Sequence, residues 1–207
     1  MTPQSAQKPE AVFDTLAIVS ELEVGLFGIS RLELSRTAYL ACLLALYRGR
    51  PLADWRYRFA CTDFGTPFSA DISEAINILH ASGRLVDAGG RMRLTDSGKF
   101  LYSSLRASKY LAARADFLRA ACTSVLIVPP STLSQSLDRE PTIVSALQHS
   151  AGHALLQGPA LQLLYEDFAV LVTALKNSEP DLLTPSIAWL TALANQPVSR
   201  RENKINT

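Results

Sequence analysis

The residues from which this 207-residue chain can build reactive chemistry are 3 histidines, 3 cysteines and 19 carboxylates. His149 and His153 stand four apart, which places two imidazoles on one helix face, as in some metal sites. No carboxylate or thiol lies beside them and HExxH is absent, so a surface or structural role is expected. His80 falls near the end of a helical segment, where capping or packing is its expected use. Asp71 and Glu74 share a helix face and read as a solvated or partner-facing acidic patch rather than a cation site. Glu166 and Asp167 are adjacent; neighbours on a helix diverge by about 100°, so they do not make a paired-carboxylate site. Cys42, Cys61 and Cys122 are odd in number and widely spaced, the pattern of reduced, buried thiols in a cytoplasmic protein. GxSxG, GxxxxGK[ST] and GxGxxG are all missing. The expectation is a non-enzyme with no catalytic residue, metal, cofactor or small-molecule ligand.

The elements that would position any site are mainly α-helical. The most readable run is residues 57–100. Thr66-Pro67-Phe68-Ser69 opens a helix, and Ile72, Ala75, Ile76 and Leu79 recur on one face of it. Gly83 stops it, Leu85-Val86 start a strand, Gly89-Gly90 turn, and Met92-Arg93-Leu94 return. Thr95-Asp96-Ser97 cap the next helix. This is the order of a winged helix-turn-helix with a small β-hairpin wing. Upstream, helices are expected over Glu10–Glu23 and Leu32–Tyr47, the second apolar nearly all round and hence central in the core. A short helix over 52–60 carries Trp55, Tyr57 and Phe59, which with Phe64 and Phe68 form an aromatic cluster that reads as core packing rather than a stacking platform for bases. Downstream, one long helix from Ser97 to about Ala121 should point Phe100, Leu101, Leu105, Leu111 and Leu118 inward and Arg106, Lys109, Arg114 and Arg119 outward. Val125–Val128 reads as an edge strand or an extended connector, and helices follow over Thr142–Leu156, Pro159–Lys176 and Pro185–Ala194. The chain divides into a disordered N-terminus (1–9), a winged-helix domain with flanking helices (10–121), a helical C-terminal region (122–196) and a flexible tail (197–207).

Charge decides what such a module would bind. The formal net charge is only +1, but it is unevenly laid down. Residues 59–83, with the helix that would enter a groove, hold three acidic groups and none basic; residues 84–119 hold eight basic and three acidic. Outward on that helix stand Asp71, Glu74 and Asn77, and of these only Asn77 suits a base edge. The carboxylates would be pushed against phosphates, so major-groove reading is disfavoured. Arg84, Arg91 and Arg93, with Lys99, Arg106 and Lys109 behind them, fit backbone phosphate or an acidic partner equally well. The N-terminus lacks a basic and apolar signal, and no apolar run approaches the ~18 residues of a membrane span, so a cytoplasmic protein without membrane contact is expected.

The series Phe59, Phe64-Gly65-Thr66-Pro67-Phe68-Ser69, Ile76, Leu79, Gly83, Leu94-Thr95 and Gly98 resembles a known pattern. It is similar to the F…GPYS…L…L…G…Y.LT..G arrangement of YwgA- and Panacea-like winged-helix proteins. It also resembles the middle components of ABC three-component systems, which include the third subunit of Lamassu-type anti-phage defence complexes. The likeness spans roughly residues 30–105. Thr-Pro-Phe-Ser stands where the pattern has Gly-Pro-Tyr-Ser, and Met92-Arg93 where an aromatic often precedes Leu-Thr. The resemblance implies a non-catalytic adaptor that bridges an SMC-like ATPase, which senses DNA, and an effector nuclease. In that reading Leu161, Leu164, Phe168 and Leu171 line one helix that serves the core, a partner, or both. The alternative is a transcriptional regulator that dimerises through its C-terminal helices and binds DNA through the wing.

Overall fold

The computed structural model describes residues 8–148, 154–175 and 181–196. It is mainly helical, with small antiparallel two-stranded sheets. The first helix, α1 (Pro9–Leu22), opens with Pro at its first turn, where a missing N–H costs nothing. It is buried along nearly its whole length and packs against the four helices that follow: α2 (Arg31–Tyr47), α3 (Ala70–Ala81), α4 (Asp96–Arg106) and α5 (Lys109–Ile127). α2 begins in a capping box: the Ser30 hydroxyl accepts from the Glu33 amide at 3.2 Å, and Glu33 accepts from the Ser30 amide at 2.8 Å. As its all-round apolar pattern predicts, α2 is buried from Leu34 to Leu46 apart from Arg36.

A 3-10 turn at Leu52–Trp55 follows, shorter than the helix expected over 52–60. The chain then enters β1 (Ala60–Cys61), which pairs with β2 (Pro67–Phe68) around Gly65; Trp55, Tyr57 and Phe59 are in the core as expected, but this tight hairpin leaves Phe64 and Phe68 exposed, outside the core expected for them. Ser69 caps α3, which buries Ile72, Ala75, Ile76 and Leu79, as its spacing requires. Strands β3 (Leu85–Ala88) and β4 (Arg91–Leu94) pair Leu85 with Leu94 and Ala88 with Arg91. The turn uses Gly89 and Gly90, both at positive φ, the geometry that matches the twist of a two-residue hairpin. Met92 adds a bridge to Ile29, which ties the hairpin to the loop between α1 and α2. Thr95 caps α4 by accepting from the Gly98 amide at 3.2 Å.

The single helix expected over 97–121 is two. The chain leaves helical geometry at Ser108, so α4 packs on α1 and β4 while α5 redirects to lie against α1 and α2. The redirection overturns two inward–outward assignments: Phe100 is 77% exposed and Arg114 is buried. Val125-Leu126-Ile127, expected to be extended, is the last turn of α5; packing against α9 (Leu183–Asn195) outweighs the weak strand preference of its β-branched residues. The boundary expected at residue 121 therefore falls inside a continuous helix. α6 (Pro130–Asp138) was not expected; it opens on Pro130 and buries Leu133 and Leu137, one turn apart. α7 covers Pro141–Gln148, and the helix expected to Leu156 does not include Ala154, which pairs with Ala60 beside the β1–β2 hairpin. α8 (Gly158–Ala174) packs on α7, α2 and α9. One continuous apolar core runs from Ala11 on α1 to Leu193 on α9.

Candidate functional site

The face built by α3, the hairpin and α4 holds most of the residues that the sequence singles out. Asp71 is half-buried and receives the Lys8 ammonium at 3.0 Å. Lys8 precedes the first residue of α1 and is held by this ion pair, although it lies in the stretch expected to be disordered; residues 1–7 of that stretch are outside the described residues. Asn77 accepts from Arg31 at 3.3 Å, and Glu74 is exposed. The hairpin arginines are turned back onto the protein. Arg91 donates to Glu33 at 2.7 Å and to the Gly28 carbonyl at 3.3 Å, and Arg93 donates to the Phe27 carbonyl at 2.8 Å. Those carbonyls are presented by a loop in left-handed conformation, Phe27 at φ 55° and Gly28 at φ 102°. Glu33 feels burial that raises its pKa, but the Ser30 amide and hydroxyl and Arg91 win, and its carboxyl lies below the ordinary value. Of the remaining basic residues, Lys99 pairs with Asp96 at 3.9 Å and Arg106 lies 5.7 Å from the centre of the Tyr102 ring. Arg84 is half-buried, and Lys109 is exposed at the start of α5.

The same end of the molecule exposes apolar surface. Val24 is 80% exposed and Phe27 78%. Leu126 and Ile127, at the end of α5, are also exposed, and Leu126 lies against Gly25 of the same loop. Four leucine and phenylalanine positions of α8 divide differently. Leu164 and Phe168 are buried in the chain's own core, Phe168 between Tyr47 and Trp189, while Leu161 and Leu171 are partly buried against it. The outward side of α8 instead carries Leu163, Tyr165 and Val170.

A second constellation went unread in the sequence. Asp14 on α1 is fully buried and receives the Arg114 guanidinium through two bonds, 2.9 Å from Nε and 2.5 Å from Nη2. Tyr57 donates to the same carboxylate at 2.7 Å, and the Trp55 carbonyl accepts from Arg114 at 3.3 Å. The guanidinium also stacks 3.8 Å above the Trp55 ring. Burial pushes the Asp14 carboxyl up from its ordinary value, against the pull of Arg114 and Tyr57. Nε, Nη1 and Nη2 of Arg114 and the Tyr57 hydroxyl each have a partner inside the fold. The network holds together α1, the 55–57 segment and α5, with no open position for a substrate atom. Beside it, between α2, the 3-10 turn and α5, lies a cavity of about 290 Å³. A buried carboxylate further on, Glu140, accepts from the Thr142 and Ile143 amides and from Tyr39, and so caps α7.

The other candidates do not come together. His80 is exposed near the end of α3, and His149 and His153 lie outside the described residues. Glu166 is exposed and Asp167 half-buried, its carboxyl raised by burial and then by Glu166. Among the described residues no group of three or more His, Cys, Asp or Glu is placed to hold a metal, and no helix is long and apolar enough to cross a membrane. All three cysteines are buried and free; burial pushes each thiol up, so little thiolate forms at neutral pH. An aromatic disulfide reagent is therefore expected to label none of them in the native protein and all three in denaturant. Rapid native labelling of Cys61 would show that the β1–β2 region opens readily.

Compared with protein-family models, with curated proteins and with solved structures, the chain matches none.

Proposed function

We propose that the chain is a non-catalytic adaptor whose α3–hairpin–α4 unit is a winged helix-turn-helix used to dock protein. The order helix, two-stranded antiparallel hairpin, helix supports the winged-helix reading. The observation that carries the docking reading is the fate of the hairpin arginines. Arg91 and Arg93, though exposed, spend part of their donor capacity on Glu33 and on the Gly28 and Phe27 carbonyls, which leaves less of it for phosphate. The helix that would enter a groove carries Asp71 and Glu74, and the neighbouring loop exposes Val24 and Phe27. An apolar, mixed-charge face of this kind suits a protein surface better than a polyanion. The resemblance to middle components of ABC three-component systems makes an SMC-like ATPase and an effector nuclease the partners proposed for it, in a cytoplasmic anti-phage defence complex.

Co-purification of the tagged chain from cells that express its neighbouring genes tests this. The expected result is capture of a large coiled-coil ATPase together with a nuclease-like protein, and loss of at least one of them on Phe27→Asp or Val24→Asp. Both positions are exposed, so neither change should lower thermal stability appreciably. Tight, salt-sensitive, sequence-specific binding of a palindromic duplex by the isolated chain would overturn the adaptor reading in favour of a dimeric regulator.

A further inference from the structure

We propose that the cavity between α2, the 3-10 turn and the first half of α5 is a binding site for a small aromatic carboxylate. Its volume, about 290 Å³, lies at the low end of the roughly 300–1,000 Å³ typical of ligand pockets, which suits a single substituted ring. Leu46, Leu52 and Phe117 supply an apolar lining. Trp55 lines it too and adds an aromatic wall.

The charges of the lining define the other end of the ligand. Arg114 is already neutralised by Asp14. Arg50 and Arg56 are exposed and also line the cavity, and no hydrogen bond or ion pair engages the Arg50 guanidinium among the described residues. Arg56 sits beside the Tyr110 hydroxyl, whose proton is given to Glu10 at 2.5 Å. Asp54 is the one acidic residue of the lining, so the uncommitted side chains favour an anion. The Arg56 backbone is left-handed, φ 70°, a conformation that a non-glycine residue adopts at a cost and that recurs where side chains must be aimed at ligands. Guanidinium groups select planar carboxylates through paired N–H donors. The ligand that uses these features has a ring for the apolar wall and a carboxylate for Arg50 and Arg56.

The test is a heteronuclear NMR titration of the full chain with 3-phenylpropionate, alongside 3-phenylpropionamide and inorganic phosphate. The expected result is a saturable shift of amides in 50–56 and 110–117, with a dissociation constant on the order of 1 mM or tighter. The neutral amide and phosphate should each bind roughly tenfold more weakly, since one lacks the charge and the other the ring. Arg50→Ala should weaken the acid by about tenfold, and Arg106→Ala, on α4, should leave it unchanged. No saturable shift at these amides would overturn the proposal. So would equal affinity for acid and amide, equal affinity for phosphate, or an equal loss in Arg106→Ala. The amide comparison is made on the unaltered protein and stands even where a variant fails to fold.

Discussion

An Asp14→Ala variant is expected to lose about 3–5 kcal/mol of stability, the usual cost of leaving one member of a buried ion pair without its partner. For a chain of this size each kcal/mol moves the melting temperature by about 2–4 °C, so the fall should be roughly 6–20 °C. The size follows from what the carboxylate holds. It is fully buried, it takes both donors on one edge of the Arg114 guanidinium, and it takes the Tyr57 hydroxyl. Its removal strands a guanidinium that is itself buried and a phenol whose hydroxyl has no other hydrogen-bond partner among the described residues. The residues that lose their anchor are distant in sequence: α1 and α5 meet here across 100 positions, and the Trp55 ring is stacked on the same guanidinium. The companion measurement is Asp14→Leu combined with Arg114→Met. A buried pair often contributes little over well-packed apolar side chains, so the double variant should recover most of what Asp14→Ala loses. Urea denaturation with an unchanged slope checks both. A loss under about 1 kcal/mol for Asp14→Ala would mean that water reaches the guanidinium and that the network is not part of the core.

That network marks where sequence reading stops. Arg114 lies in the run Ala112-Ala113-Arg114-Ala115, where an isolated arginine on a helix reads as solvent-facing. Only a partner 100 residues away makes its burial favourable, and no local period encodes that pairing. The cavity beside it was invisible for the same reason, since its lining comes from α2, the 3-10 turn and α5. The α3–hairpin–α4 run was legible because each step is a local signal: Ser69 and Thr95 as caps, one apolar face, and two glycines at a turn. The α4–α5 break was signalled only by Ser108, a residue type common at helix starts, inside a pattern that otherwise continued. Strands β1 and β2 are two residues each, too short for alternation to register. The basic character of the hairpin was readable from composition; its capture was not, because the acceptors are the distant Glu33 carboxylate and carbonyls presented by the left-handed loop at Phe27 and Gly28.

Gly98→Ala is expected to be the most damaging single-methyl change in the chain, costing about 3 kcal/mol or more, at the upper end of what overpacking produces. A Cβ at Gly98 would lie 2.1 Å from the Arg84 carbonyl oxygen, well inside contact distance, and that atom is backbone. The carbonyl cannot turn aside, because it accepts the Thr95 amide at 3.1 Å and so joins the start of β3 to the cap of α4. The Gly98 amide is itself bound to the Thr95 hydroxyl, which also donates to Gly83 at 2.9 Å. Space for the methyl therefore requires α4 to move away from the hairpin, breaking the cap and the packing of Tyr102 together. The control is Gly89→Ala at the hairpin turn. There nothing lies within 4 Å of an added Cβ, and the cost is the left-handed backbone alone, about 1 kcal/mol. Denaturation curves separate the two, and faster amide exchange at Thr95 in Gly98→Ala, with none in Gly89→Ala, locates the damage. Equal losses would mean that the clash is relieved by a small shift of the backbone. The spacing Leu94-Thr95 to Gly98 has the same cause: Leu94 fills the core, Thr95 caps, and Gly98 admits the carbonyl. All three are demands of packing between a hairpin and the helix that follows it, so this stretch of the pattern is accounted for by the supersecondary unit itself.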